Sequence, residues 1–114
     1  MPLDEVLRKR LKSGRPYLEF LRGPAMSCGV YVLAPGEADK QKPHAEDEVY
    51  YVIQGKAKMA MRVKDRETPG DSKMVDREVA PGDVIFVRAH EEHRFHSIEE
   101  ELQLLVIFAP AETL

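Results

Sequence analysis

The chain has 114 residues, 43% hydrophobic and 32% charged, with a formal net charge of −3. That length makes one domain, able to bury a core without staples. The interspersed charges lack the basic stripe of a nucleic-acid or membrane-surface protein. No apolar run approaches the roughly 18 residues of a membrane-spanning helix. The start, Met1-Pro2-Leu3-Asp4-Glu5-Val6, lacks the layout of a signal peptide. The single Cys28 has no disulfide partner within the chain. The expectation is therefore a cytoplasmic, reducing setting, with no nucleic-acid and no membrane partner.

In chain order, Leu3, Val6, Leu7 and Leu11 recur at helical spacing and basic residues crowd the last turn, which predicts a short helix over 3–12. Ser13-Gly14 ends it and Pro16 forbids continuation. From Tyr17 the period falls to two. Strands are expected over 17–22, 26–33, 49–54, 57–63, 74–79, 84–87, 93–97 and 102–109. Pro35-Gly36, Gly55, Pro69-Gly70 and Ala80-Pro81-Gly82-Asp83 read as turns between them. The run 102–109 is apolar on both faces, as for a strand buried between layers. Met59 and Met61 read as core, Cys28 as a small packing residue, and Glu99-Glu100-Glu101 as a solvated turn. Many short strands with almost no helix predict a sandwich or barrel over 17–114, preceded by a helical arm over 1–16.

All four histidines fall in two stretches, 44–48 and 90–96. Imidazole nitrogens and carboxylate oxygens are the usual ligands of first-row divalent metals. Alternation places Glu48, Tyr50 and Val52 on one strand face, and His93 on a face with Phe95. A carboxylate opening an apolar and aromatic strand needs a partner if it points inward. Glu46, two residues from His44, is the rival ligand. His90 and His96 are expected at the rim or outer surface.

These residues carry a resemblance. The order Gly36, His44, Glu48, Gly55, followed by Pro81-Gly82-Asp83, the apolar strand 84–87 and His93, resembles the two motifs of the cupin superfamily, and in particular its small single-domain members. The match covers roughly residues 26–109. It implies an all-β fold, a double-stranded β-helix or jelly-roll barrel, here with a short N-terminal helix. It also implies one divalent metal ion, iron first and manganese, nickel or zinc as alternatives, held by His44, Glu48 and His93. Lys42 stands where the family often has a further histidine, Arg88 and His90 replace a Pro and a Gly, and Ser97 stands where Asn is common. Three ligands resemble the 2-His-1-carboxylate set that leaves positions open for substrate or oxygen.

The expected function is a metal-dependent enzyme on a small organic molecule, a dioxygenase or an isomerase/lyase, with Tyr50 or Lys42 as acid or base. The alternatives are a non-catalytic binder of a small molecule or sugar, and a metal-stabilised structural domain. The resemblance also implies a homodimer, paired through the strand 17–22 and the helix before it.

Overall fold

The structure, a computed structural model, describes residues 1–64, 70 and 72–113. Its elements are α1 (Leu3–Ser13), β1 (Tyr17–Arg22), β2 (Ser27–Leu33), β3 (Asp47–Lys64), β4 (Ser72–Val79), β5 (Val84–Val87) and β6 (His93–Ala109). The helix is stopped by Gly14, whose left-handed backbone (φ 71°) turns its N–H back onto the Leu11 carbonyl. Only Val6 of the helix is buried, where α1 packs on β1 and β2; Leu11, expected on the apolar stripe, is 68% exposed. No helix is long and apolar enough to cross a membrane among the described residues.

All strand pairings are antiparallel, in the order β1-β2-β6-β3-β4, with β5 beside β3. The ladder does not close on itself. The fold is the expected double-stranded β-helix with a short N-terminal helix, built from fewer and longer strands. Residues 49–54 and 57–63 form one strand, β3, and Gly55 is not a turn but a point where the register of β3 against β6 slips. Likewise 93–97 and 102–109 are one strand, β6, with Glu99, Glu100 and Glu101 as exposed strand residues rather than a turn. Irregular register bends both strands while keeping their hydrogen-bond ladders. A one-sequence reading that breaks strands at Gly and charge runs misses this. The Pro69 part of the expected hairpin tip lies outside the described residues.

The bend folds the sheet over one core. Tyr31, Leu33, Tyr50, Val52, Met59, Phe95, Leu102, Leu104, Val106 and Phe108 belong to it, drawn from both halves of β3 and β6. Alternation in the 102–109 run is clear: Leu102, Leu104, Val106 and Phe108 are buried, while Gln103, Leu105 and Ile107 are half-buried on the other face. The Pro81-Gly82-Asp83 turn is latched onto β3, Gly82 N–H donating to the Val52 carbonyl (2.8 Å) and Val52 N–H to the Asp83 carbonyl (2.9 Å). The loop after β5 is latched to the segment before β3: His90 N–H donates to the His44 carbonyl (2.6 Å) and Ala89 N–H to Asp47 Oδ1 (2.9 Å). These two latches hold the start of β3, and hence the two histidine stretches, at one end of the barrel.

Candidate metal centre

Glu48 enters this end from β3 and His93 from the start of β6, and both side chains are 1% exposed. Their nearest atoms, Glu48 Oε1 and His93 Nε2, are 3.1 Å apart. The contact is off the line of a hydrogen bond, so both Glu48 oxygens are buried without a hydrogen-bond partner. Leaving a buried acceptor unpaired costs about 1–3 kcal/mol, more for a charged one. Tyr50, two residues along the same face as expected, places its hydroxyl 3.0 Å from His93 Nε2 and donates to Gln41 Oε1 at 2.9 Å. Phe95 packs edge-on against Tyr50, with centroids 5.0 Å apart.

His44 lies on the opposite wall, its ring edge-on to Phe108 at 4.9 Å and 6.2 Å from the His93 ring. Its Nε2 is 3.4 Å from Gln41 Oε1, and its Nδ1 is 3.4 Å from Glu112 Oε2. The structure therefore joins Glu48 and His93 directly and sets His44 in the same cup with Gln41 and Tyr50 between. Among the described residues, no three His, Cys, Asp or Glu side chains form a ready-made cluster.

Hydrogen bonding fixes which atoms look inward. His93 Nδ1 is 2.9 Å from the Glu91 carbonyl, which can only accept, so Nδ1 carries a proton and Nε2 faces the cup. Glu112 Oε2 lies 3.4 Å behind His44 Nδ1, within ion-pair range, while His44 Nε2 points to Gln41 Oε1. Gln41 is held by Asp39, whose Oδ2 accepts from the Gln41 amide nitrogen at 3.0 Å; the amide oxygen thus faces the cup. Asp39 also accepts from Tyr31 Oη (2.8 Å), Phe95 N–H (2.8 Å) and Gln41 N–H (3.1 Å).

The inward His93 Nε2 meets two carboxylate oxygens of Glu48 that have no hydrogen-bond partner, beside the Tyr50 hydroxyl and the His44–Gln41 contact. Such a set calls for a positive charge: a proton or a cation. Burial presses His93 down, but its contacts with Glu48 and the Glu91 carbonyl, and the Glu48 charge, outweigh it and raise its pKa from the ordinary value. Burial raises the Tyr50 pKa well above the ordinary value, and the Glu48 charge adds to it, so the phenol keeps its proton. The Glu48–His93 and His44–Gln41 atom pairs lie 3.1 and 3.4 Å apart. Ligands about 2.1 Å from one metal ion, at near right angles, would be about 3 Å apart. Each of these two pairs has the spacing of two ligands of one divalent ion, while the His44 and His93 ring centroids stand 6.2 Å apart.

The inner cavity measures about 140 Å³ and is lined by Tyr17, Tyr31, Gln41, His44, Glu48 and Glu112, with Val106 and Phe108 as its apolar wall. The C-terminal segment closes it. Glu112 N–H donates to Ser27 Oγ (2.9 Å), Arg22 donates to the Glu112 carbonyl (2.5 Å), and Thr113 Oγ1 donates to Glu46 Oε2 (2.7 Å). Burial raises the Glu112 pKa, with His44 pulling the other way. Glu46, the rival ligand, is thus turned to the tail. Lys42 is exposed and lines an outer cleft of about 550 Å³ with Arg62, His90, Glu92 and Arg94, a cleft that Gln41 and His93 also line. His90 is exposed, and His96 faces outward to Asp76 (2.7 Å). Sequence reasoning missed Asp39, Gln41 and Glu112. Asp39 and Gln41 sit in an irregular polar stretch, and Glu112 reaches the cup through a turn that no period announces.

Comparison with known proteins agrees with this architecture. The chain is 41% identical over 111 residues to an uncharacterized protein of Streptomyces coelicolor, covering 97% of this chain and 95% of that one. Among solved structures, the Bacillus halodurans protein BH2720 superposes with a TM-score of 0.70 at 18% identity, over 97% of this chain and 79% of its own. The lyase DddQ of Ruegeria pomeroyi gives a TM-score of 0.66 at 17% identity; the match covers 82% of this chain but only 45% of DddQ. At those identities the likeness is one of fold. The cupin domain model itself matches residues 29–108, from β2 to the end of β6 and through both histidine stretches, so the chain belongs to the cupin family and is a small single-domain member of it.

Proposed function

We propose that this cupin is a metal-dependent enzyme acting on a small organic molecule, with His44, Glu48 and His93 holding one divalent ion, iron first among iron, manganese, nickel and zinc. The observation that carries the reading is the buried Glu48 carboxylate without a hydrogen bond, facing inward-turned imidazole nitrogens. When bound, the ion supplies Lewis acidity toward a carbonyl or enolate, or redox chemistry toward oxygen. The chain's own residues do the rest. Glu91 and Glu112 orient the two imidazoles, and Val106 and Phe108 exclude water from the floor. Tyr50 holds a proton on its hydroxyl beside His93.

Of the two reaction classes, a dioxygenase and an isomerase/lyase, Tyr50 favours the second. A phenol kept protonated by burial can give a proton to a carbanion or enolate and take it back. A cavity of about 140 Å³ suits a substrate of a few heavy atoms. DddQ is named as a lyase, which accords with this class. The test is metal content by elemental mass spectrometry on the native protein and on a His44→Ala/His93→Ala double variant, followed by oxygen uptake and by solvent deuterium exchange into small carbonyl compounds. Near-stoichiometric metal lost in the variant, with exchange rather than oxygen uptake, is expected. Absence of metal after gentle purification and reconstitution would overturn the enzyme reading and leave a metal-free binding cup.

A further inference from the structure

The place of the missing family histidine is Lys42, yet Lys42 does not face the cup. We propose that the neighbouring residue, Gln41, supplies the fourth donor to the cation through its Oε1. The inference rests on the metal reading above and goes beyond it by assigning a ligand outside the family's motif positions.

Three observations carry it. Gln41 lines both the inner cavity, with His44 and Glu48, and the outer cleft, with His93, whereas the exposed Lys42 lines the outer cleft and not the inner cavity. Gln41 Oε1 lies between the two walls, 3.4 Å from His44 Nε2 and 2.9 Å from the Tyr50 hydroxyl, which itself reaches His93 Nε2 at 3.0 Å. And the amide cannot turn over freely. Asp39 Oδ2 accepts from its nitrogen at 3.0 Å, so the oxygen is the atom presented. His44 Nε2 is within hydrogen-bond reach of the same oxygen at 3.4 Å, so the Tyr50 hydroxyl and the His44 ring both converge on Gln41 Oε1, and a cation held there would take the place of the His44 proton. An amide oxygen is a neutral, hard donor, so the set becomes two nitrogens and two oxygens with a single negative charge. Oxygen and nitrogen donors of this kind suit iron, manganese, nickel or zinc over soft copper(I).

Lys42 then has a different relation to the centre. It is exposed and lines the outer cleft, not the inner cavity that holds His44 and Glu48. Asp39 is the positioning residue: by binding both the backbone N–H and the side-chain amide of Gln41, together with Tyr31 and the Phe95 backbone, it fixes Gln41 to β2 and β6 at once.

The experiment is cobalt(II) titration of the metal-stripped full chain, read by the visible ligand-field spectrum and by competition with a chelator. The proteins are the wild type and the variants Gln41→Ala, Gln41→Glu and Lys42→Met, each checked for folding by circular dichroism. In Gln41→Ala we expect about 10- to 100-fold weaker cobalt binding and a changed ligand-field spectrum. Gln41→Glu, which keeps an oxygen donor and adds a charge, should bind at least as tightly as wild type. Lys42→Met should leave affinity and spectrum unchanged. If wild type binds one cobalt ion and Gln41→Ala matches it in both affinity and spectrum, Gln41 is not a ligand, while the metal reading stands. If Lys42→Met is the variant that changes the spectrum, the assignment to Gln41 is overturned in favour of Lys42. If wild type takes up no cobalt at all, the metal reading falls and the Gln41 assignment with it.

Discussion

Glu48 Oε1 and His93 Nε2 are 3.1 Å apart, both side chains 1% exposed, and neither Glu48 oxygen is hydrogen-bonded. A charge so placed is a poor device for stability alone, because desolvation offsets the attraction and the unpaired lone pairs add to the cost. It is a good device for binding a cation. The two roles separate in a substitution. Glu48→Leu, similar in volume, should abolish stoichiometric metal uptake. The metal-stripped variant should melt at or above the wild type, by up to about 1–3 kcal/mol. Differential scanning calorimetry on stripped proteins, with metal titration alongside, checks both. A variant that loses stability but still binds metal at wild-type strength would contradict this account of Glu48.

Glu112 acts on the cup from behind His44. The tail that carries it is held by Ser27, Arg22 and Glu46 rather than by strand pairing. Removing the carboxylate in Glu112→Ala frees the His44 ring to rotate and weakens the basicity of the inward nitrogen. The expected result is about 10-fold weaker metal affinity with the barrel intact, since outer-shell partners of a ligating histidine are worth roughly 10- to 100-fold. Thr113→Ala, which loosens the tail at Glu46 without touching His44, should give a smaller loss. Equal affinities in wild type and Glu112→Ala, by chelator competition, would remove Glu112 from the site.

How much of this was legible beforehand divides by the range of the interaction. Alternation along the chain correctly put Glu48, Tyr50 and Val52 on the buried face and paired His93 with Phe95. The two histidine stretches do meet at one end, because the Pro81-Gly82-Asp83 turn and the His90–His44 backbone contact bring them there. What period two could not carry is the continuity of β3 and β6 through irregular register, which depends on a partner strand far away in sequence. Nor could it carry the orientation of a side chain in an irregular loop. Lys42 and Gln41 are adjacent, and only Asp39, by taking the Gln41 amide, decides which of them faces the cup.

Gly36 and Gly55, both part of the family pattern, should differ sharply in tolerance. Each has a positive φ, 79° and 113°. At Gly36 an added Cβ meets nothing within 4 Å, so Gly36→Ala carries only the backbone cost, about 1–2 kcal/mol. At Gly55 the Cβ would come within 2.6 Å of the Leu102 Cα, and against the Glu101 carbonyl oxygen as well. This is backbone on backbone, at the register slip that bends β3 against β6, and no rotamer change relieves it. Gly55→Ala should therefore cost about 3 kcal/mol or more, measured by urea unfolding. Comparable losses for the two variants would mean that close approach at residue 55 is not what requires glycine.

The outer face of the sheet bears on the proposed pairing of two copies. Antiparallel register sets Val84 beside Tyr51 and Leu105, and Phe86 beside Val49, Ile107 and Cys28, in two apolar rows across β5, β3, β6 and β2. Val84 is 69% exposed, Phe86 53% and Tyr51 41%, and β1, expected to pair copies, is the edge strand of the sheet beside β2. Adjacent exposed apolar side chains at the same end of a sheet mark an interaction surface more readily than scattered ones do. We propose that, if two copies pair, they do so through this face. Burying Phe86 and Val84 contributes roughly 1.5–3 kcal/mol each, so a Val84→Lys/Phe86→Asp double variant should convert a dimer to a monomer in light scattering. Metal affinity should stay unchanged, because neither residue reaches the cup. A wild type that stays monomeric across the concentration range, or a double variant that remains dimeric, would move the pairing off this face.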